Sequence, residues 1–300
     1  MQDRLQTARR EPLLLVCVGV LLFQYAMVGL TTDFAETGSS TFGDIARNLS
    51  ESAFYSVDGA TWSYWRPPLY PILLSGVITI GSEYWEALAR IVQAVFGLGS
   101  LFLVHRLSLA VFRERRVASI AVCLYAANFA LHKEQLAQRD TVVIEFLTLL
   151  FAMMTLRCAD SRRHALIAAL AAGLAFLSRP TGLFLLPALV LVLALSELSA
   201  KRRILRIAIC VAVFELVLLP WQVYHVAAFG SFSPGTPTNG GVNLFKGNSE
   251  LVASIYPALD PDDADAFIVP LTAGLDEHSG DAFLRARALE AIEVRPGAFL

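Results

Sequence analysis

Charged residues beside long apolar blocks are the part of this sequence best suited to chemistry. Arg66, Arg139, Asp140 and Arg179 each adjoin such a block, where a charge is costly unless it has a partner or a task. Five more carboxylates lie within residues 33–58, after the first apolar block: Asp33, Glu36, Asp44, Glu51 and Asp58. A carboxylate can act as general base on a hydroxyl while arginines stabilise a departing phosphate. The pattern therefore favours transfer from a lipid phosphate, and a transporter of an anion would carry similar charges.

The sequence supports a metal site or a nucleic-acid site less than it supports transfer from a lipid phosphate. Clustered carboxylates allow a divalent metal ion, for which Asp140 and Glu36 are the candidate ligands. The four cysteines show no Cys/His cluster with zinc spacing. The net charge of −2 leaves no broad basic surface for nucleic acid.

Hydropathy predicts an all-α polytopic membrane protein. Hydrophobic residues make up 56% of the chain, and the mean hydropathy of +0.57 is high for a soluble domain of this length. Seven apolar blocks predict seven spans, at 13–30, 87–104, 117–131, 141–156, 165–178, 183–195 and 205–224.

The stretch WRPPLYPILLSGVITIGS, at 65–82, resembles an eighth span but has an apolar run of only about fifteen residues, where a crossing needs roughly twenty. If it does not cross, the N-terminal arginines and the three later basic clusters all fall on the cytoplasmic side, as the positive-inside rule requires. We therefore predict a proline-shaped helix resting on membrane lipid at the outer interface. The outer segments are then 31–85, 132–140 and the tail from 225, with the SRPTG connection at 178–182 near the outer surface.

Two regions follow from this topology. Residues 1–226 would form the transmembrane catalytic module, and residues 227–300 an extracytoplasmic tail with a helix from Asp281 to Val294. The last residues, RPGAFL, are typical of the approach to another span, so we expect the tail to be incomplete at its C-terminus.

Four stretches, in order, resemble the GT-C superfamily of polytopic glycosyltransferases. The similarity is greatest to the branch of protein mannosyltransferases and lipid A aminoarabinose transferases. The stretches are SSTFGDIARNLSESAFYS (39–56), YWRPPLYPILLSG (64–76), GLAFLSRPTGLFLLP (173–187) and PWQVYHVAAFGSFSPGTPTNGGVNLFKGN (220–248).

This resemblance implies the GT-C helical fold, with two juxtamembrane helices in the first outer loop. It also implies transfer of a sugar, with inversion, from a polyprenyl-phosphate donor at the extracytoplasmic face, in the cytoplasmic membrane of a bacterium. The acceptor stays open between glycan, lipid and protein.

The resemblance also suggests roles for individual residues. In the family an acid just after the first span is the base, and a second acid at the start of the second outer loop supports it. Asp140 matches the second position, while the first falls near Gly38 or Ser39, so the candidates for the base are, in order, Glu36, Asp33 and Asp44. The candidates for binding the donor phosphate are Arg66, Arg139 and Arg179.

Three further residues are candidates for the donor or acceptor pocket, namely Tyr70, Asn243 and Asn248. A structural role competes with each: Tyr70 as a buried aromatic of an interfacial helix, and both asparagines as parts of a glycine-rich turn.

Two other functions compete with glycosyl transfer. A transporter or flippase of lipid-linked or anionic substrates would be expected to show internal repeats, and none is evident. A non-catalytic member of the same family would account for the displaced acid of the first loop.

Overall fold

The computed structural model describes residues 12–34, 40–230, 232, 239–255 and 268–299, and within these ranges the chain is helical and contains no strand. The helices are α1 (Pro12–Thr31), α2 (Ser40–Ser52), α3 (Leu69–Gly81), α4 (Trp85–Phe112), α5 (Arg115–Ala127), α6 (Phe129–Gln135), α7 (Thr141–Thr155), α8 (Arg162–Ser178), α9 (Leu185–Ala194), α10 (Ala200–Phe229), α11 (Gly240–Asn248), α12 (Glu250–Ile255), α13 (Glu277–Val294) and α14 (Pro296–Phe299). Short 3-10 turns occur at Ser82–Tyr84, Pro180–Phe184 and Val269–Thr272.

The predicted fold class, an all-α membrane protein, is confirmed. Among the described residues, three helical segments are long and apolar enough to cross a bilayer: α1, the stretch Leu69–Phe112 that comprises α3 and α4, and α10. Shorter apolar helices lie at Thr141–Thr155 and Pro180–Ala194. Five of the seven predicted spans each match one helix, whereas 117–131 runs across the break between α5 and α6 and 183–195 begins in the 3-10 turn before α9. The number of crossings stays a prediction.

Helix α3 has the length expected of an interfacial helix. Its 13 residues extend about 20 Å at 1.5 Å per residue, which is shorter than a hydrocarbon core of about 30 Å. Ser82, with φ of 47°, separates it from α4. Pro68 precedes the first helical residue and Pro71 lies in the first turn, where the missing N–H costs little.

The alanine-rich helix α8 forms the centre of the bundle. Its inward residues are small, including Ala168, Ala172 and Ala175, all fully buried, and it packs against α7 and α10. Small residues let helix backbones approach closely, as at Gly173, where a Cβ would lie 3.0 Å from the Cβ of Val217. The C-terminal end of α8, where Arg179 follows, is therefore held by the core.

The predicted outer loop at 132–140 differs from a solvated loop, because its first half is helix α6 and most of it is buried. The Tyr25 hydroxyl donates to Gln135 Oε1 over 2.5 Å. Gln135 Nε2 in turn donates to the Tyr125 hydroxyl and to Glu145 Oε2, over 2.7 and 2.6 Å. These bonds to α1, α5 and α7 satisfy the polar side chain and draw the segment inward.

The tail also departs from the predicted boundaries. Helix α10 continues to Phe229, past the boundary predicted after residue 226. Helix α13 begins at Glu277 rather than at Asp281, because the Asp276 carboxylate caps it by accepting from Ser279 N.

Candidate functional site

A cavity of about 680 Å³ opens where the connection before α3, the start of α7, the end of α8 and the start of α11 meet. Four cationic side chains line it, Arg66, Arg139, Arg179 and Lys246, and among the described residues Asp140 is its one carboxylate. The excess of positive charge makes the cavity suitable for an anion.

Asp140 and Arg179 form a two-point ion pair in this cavity. Arg179 Nη2 donates to Asp140 Oδ1 over 2.6 Å, and Nε donates to Oδ2 over 3.1 Å. The Asp140 side chain is 7% exposed and that of Arg179 is 45% exposed. A guanidinium has five N–H groups in a planar fork, so Arg179 can hold Asp140 and still donate to a ligand.

The sequence SRPTG, at 178–182, determines the position of Arg179. Helical geometry is disfavoured for a residue before proline, and Arg179 is extended, with φ −152° and ψ 135°, so α8 ends at Ser178. Pro180 then begins a 3-10 turn. This turn folds back onto α8 at Gly182, where a Cβ would lie 2.4 Å from the backbone N of Phe176. A side chain at 182 would therefore displace the turn that carries Arg179.

Arg66 is held by α2 and by the loop that follows it. Its Nε donates to Thr41 Oγ1 over 2.8 Å, and its guanidinium lies 4.8 Å from the centre of the Phe42 ring, within the range of a cation–π contact. The Tyr55 hydroxyl donates to the backbone O of Arg66 over 2.9 Å. Helix α2 and the loop after it thus fix the position of this cation at the cavity.

Arg139 is held less firmly than Arg66 or Arg179. Its Nη1 lies 3.0 Å from Glu134 Oε2, and both side chains are nearly half exposed. Exposed ion pairs contribute little to stability. Arg139 therefore contributes charge to the cavity more than fixed geometry.

Helix α11 brings Lys246 and Asn243 to the cavity, and the prediction of a glycine-rich turn at this segment is wrong. The carboxylate of Asp281, on α13, accepts from Gly241 N over 2.5 Å and from Val242 N over 3.3 Å. It satisfies the free N–H groups at the start of α11, as a capping side chain would. Gly241 permits the approach, because a Cβ there would lie 2.1 Å from the Asp281 backbone O.

Lys246 is not among the candidates predicted from the sequence, because the glycines around it indicate a turn. The three-residue spacing from Asn243 would place the two side chains on one face of a helix, and this spacing was the available signal.

Tyr70 and Asn248 do not line the cationic cavity. Tyr70 lies behind Phe42, with the two rings edge to face at 5.3 Å, and its hydroxyl accepts from Gln93 Nε2 over 3.1 Å. Asn248 donates to the backbone O of Leu244 over 2.9 Å at the end of α11. The contacts of Tyr70 agree with the structural role weighed for it, a buried aromatic, whereas Asn248 ends a helix instead of shaping a turn.

The first-loop acids are dispersed. Asp44 pairs with Arg47 at 3.7 Å on α2, and Asp33 is exposed just after α1; neither lines the cavity. Glu36 lies outside the described residues. Within the described part of the chain no three His, Cys, Asp or Glu side chains are grouped so that they could hold a metal ion, and both oxygens of Asp140 accept from Arg179.

Comparison with known proteins adds independent support for the resemblance. No curated protein and no solved structure matches the chain. The sequence model of the dolichyl-phosphate-mannose-protein mannosyltransferase family matches residues 65–224, a range that contains Arg66, Asp140 and Arg179. This match covers just over half of the 300 residues, and the chain therefore belongs to that family, a GT-C family of membrane glycosyltransferases.

Proposed function

We propose that this protein transfers a sugar from a polyprenyl-phosphate donor to an acceptor hydroxyl at the extracytoplasmic face of the membrane. The observation that carries the proposal is the cationic cavity, which Arg66, Arg139, Arg179 and Lys246 line together with Asp140, the one carboxylate among its described lining residues. A sugar phosphodiester brings one negative charge, and the departing lipid phosphate acquires a second. Cations placed around that phosphate stabilise the transition state more than the bound donor.

The proposed reaction is a single displacement. The acceptor oxygen forms a bond to the anomeric carbon as the bond from that carbon to the phosphate oxygen breaks, so the anomeric configuration inverts. The hydroxyl proton passes to a carboxylate, and the electron pair of the broken bond leaves with the lipid phosphate. The proposed base is an acid of the first loop, in the order Glu36, Asp33, Asp44.

Asp140 is better placed to orient Arg179 than to take the proton. Both of its oxygens accept hydrogen bonds from the Arg179 guanidinium. We assign it the positioning of Arg179 toward the donor phosphate.

The experiment that tests the proposal is transfer of radiolabelled sugar by the purified chain in proteoliposomes, with polyprenyl phosphates bearing different sugars, mannose first. Replacement of Arg179 or Lys246 by alanine should lower transfer by about tenfold to a thousandfold, the range for loss of one stabilising donor. Arg106→Ala is the matched control, because Arg106 is an exposed arginine of α4 that lies against Phe102. Equal activity of all three variants and the wild type would refute the assignment of the cavity.

The same assay separates the candidate bases and tests for a metal ion. Glu36→Gln, Asp33→Asn and Asp44→Asn are compared, and the base is the acid whose amide variant loses transfer while the donor still binds. A metal ion held by Asp140 and Glu36 predicts that EDTA abolishes transfer and that Mg²⁺ or Mn²⁺ restores it.

A further inference from the structure

A second cavity of about 500 Å³ lies beside the cationic one, between the loop after α2 and the first turn of α13. Its walls are partly aromatic, with Trp62, Tyr64 and Phe229 among the lining residues. We refer to it as the aromatic cavity.

The aromatic walls are built into the fold. The Tyr64 and Phe229 rings meet at 4.5 Å, and Trp62 packs edge to face on Phe54 at 4.2 Å. Even so, Trp62 is 44% exposed, so part of its indole surface is open to a ligand. The polarised C–H groups of a sugar ring pack favourably on such a π face.

The polar lining is acidic. Asp58, Asp276 and Glu277 contribute carboxylates, and the described residues that line the cavity include His278 but no lysine or arginine. Hydrogen bonds from the Thr61 and Ala60 backbone N–H groups lower the pKa of Asp58, and those from Ser279 lower the pKa of Asp276. Both groups therefore stay ionised at neutral pH. Both charges repel an anion. Asp276, which accepts from the N–H and the hydroxyl of Ser279, could also accept from a hydroxyl or ammonium group of a ligand.

These carboxylates also have fixed positions. Glu277 accepts from Ser63 Oγ over 2.6 Å and from Tyr64 N over 3.0 Å. Asp58 accepts from Ser56, Ala60 and Thr61 in a tight turn.

A single short segment lines both cavities. Trp62 and Tyr64 line the aromatic cavity, and Trp65 and Arg66 line the cationic one. Three residues span at most about 11 Å, so Trp62 and Trp65 lie within a few sugar rings of each other. The two neighbouring cavities carry opposite charge.

We propose that the aromatic cavity is an acceptor subsite, which binds a saccharide without net negative charge while the anionic donor occupies the cationic cavity. The proposal rests on the glycosyl transfer proposed above. The opposite charges of the two cavities discriminate between the two substrates. The acidic cavity repels the donor phosphate and can bind a neutral or cationic sugar. An acceptor held at Trp62 would extend along the 62–66 segment toward Arg66 and the donor.

The test is direct binding of saccharide probes to the purified full chain, measured by saturation-transfer NMR without donor. The probes are mannobiose, cellobiose and chitosan dimer, with digalacturonate as the anionic comparison. We expect binding of at least one of the first three and weaker binding of digalacturonate. Trp62→Ala and Leu275→Arg should each weaken binding by about tenfold. Leu275 lines the cavity and is 46% exposed, so its replacement introduces a bulky cation without disturbing the core.

Two controls accompany these variants. Trp62→Phe keeps an aromatic face and should restore much of the binding. Tyr84→Ala removes an aromatic residue that is 72% exposed and lies outside the cavity, and should change nothing. Binding of labelled donor to Leu275→Arg should match the wild type.

The proposal is overturned if none of the uncharged or cationic probes binds, if digalacturonate binds as well as they do, or if Trp62→Ala and Leu275→Arg leave binding unchanged. Binding of a serine-containing peptide at Trp62 without any saccharide binding would overturn the class of ligand. The saccharide-binding experiments contain no donor, so their failure would leave the proposed glycosyl transfer untouched. Failure of the proposed transfer is detected separately, by the activity of Arg179→Ala in the transfer assay.

Discussion

At the scale of single residues, the pairing of Asp140 with Arg179 is the most informative contact. A buried carboxylate needs a partner, and the planar guanidinium supplies two parallel hydrogen bonds while nearly half of the arginine side chain faces the cavity. This contact is the basis for the role proposed for Asp140, the positioning of Arg179 toward the donor phosphate.

Asp140→Asn tests this role. The amide keeps the shape of the carboxylate but removes its charge and offers N–H groups to a guanidinium that cannot accept them. We expect kcat for transfer to fall by about tenfold to a hundredfold, because misplacing a catalytic group by about 1 Å can cost that much.

The matched control is Glu134→Gln, at the exposed partner of Arg139. Loss of an exposed pair should change kcat less than about twofold. Steady-state kinetics at several donor concentrations separates kcat from KM, and equal kcat values for Asp140→Asn and the wild type would contradict the positioning role. Arg179→Lys should also have a lower kcat than the wild type, because an ammonium group cannot make the two-point contact with Asp140.

At the scale of elements, the end of α8 and the turn after it set the position of Arg179. The helix is held by close backbone packing, and proline ends it. Gly182 lets the turn lie directly on the backbone of Ala175 and Phe176, at distances that leave no room for a Cβ.

Gly182→Ala should therefore lower stability by about 1–3 kcal/mol, the usual cost of overpacking, and should lower transfer as well. Gly76→Ala is the matched control: a Cβ at Gly76 meets nothing within 4 Å, and alanine favours a helix interior by about 1 kcal/mol. The stability of both variants is compared through the apparent unfolding temperature in detergent, at one fixed scan rate. A Gly182→Ala variant as stable as Gly76→Ala would show that the turn can move without cost.

Helix α3 provides a second prediction at this scale, about its position in the membrane. If α3 rests on the outer interface, Ser82→Cys at the α3–α4 break should react with a membrane-impermeant maleimide in right-side-out vesicles. Ser199→Cys, exposed before α10, should react only after permeabilisation. The wild-type chain gives the background, since Cys17, Cys158 and Cys210 are buried. Labelling of Ser82→Cys only after permeabilisation would mean that α3 crosses the membrane.

At the scale of the whole molecule, the tail takes part in the candidate site. Helix α13 contacts the first outer loop through Glu277, and it holds the start of α11 through Asp281. Through α11 it positions Lys246 at the cationic cavity, so residues more than 200 positions apart contribute to one site.

Asp281→Ala tests this coupling. It leaves the N–H groups of Gly241 and Val242 without their acceptor, at a cost of about 1–3 kcal/mol, and should loosen α11. We expect donor affinity to fall by about three- to tenfold, measured by binding of labelled donor. Glu290→Ala is the control on the same helix, because its side chain is 67% exposed. Reduced thermal stability of Asp281→Ala with unchanged donor affinity would show that α11 does not serve the cavity.

Most of the helices and part of the candidate site could be predicted from the sequence. Arg66, Arg139, Asp140 and Arg179 stood out because each adjoins an apolar block, and the structure brings all four to one cavity. Lys246 was not predicted, since its neighbouring glycines indicate a turn unless Asp281 caps the helix from a distance. Likewise, the burial of α6 depends on partners in three other helices.

The sequence by itself determined that this chain is a helical membrane protein, where most of its long apolar helices lie, and to which family of glycosyltransferases it belongs. Hydropathy, proline position and motif order are properties of the sequence, and they can be identified without any knowledge of how the chain packs. Only the tertiary structure decided which charges meet, that Asp140 is occupied by Arg179, and that an acidic aromatic cavity adjoins the cationic one. Those features depend on contacts between residues distant along the chain, and their geometry is set by how the helices and outer loops pack.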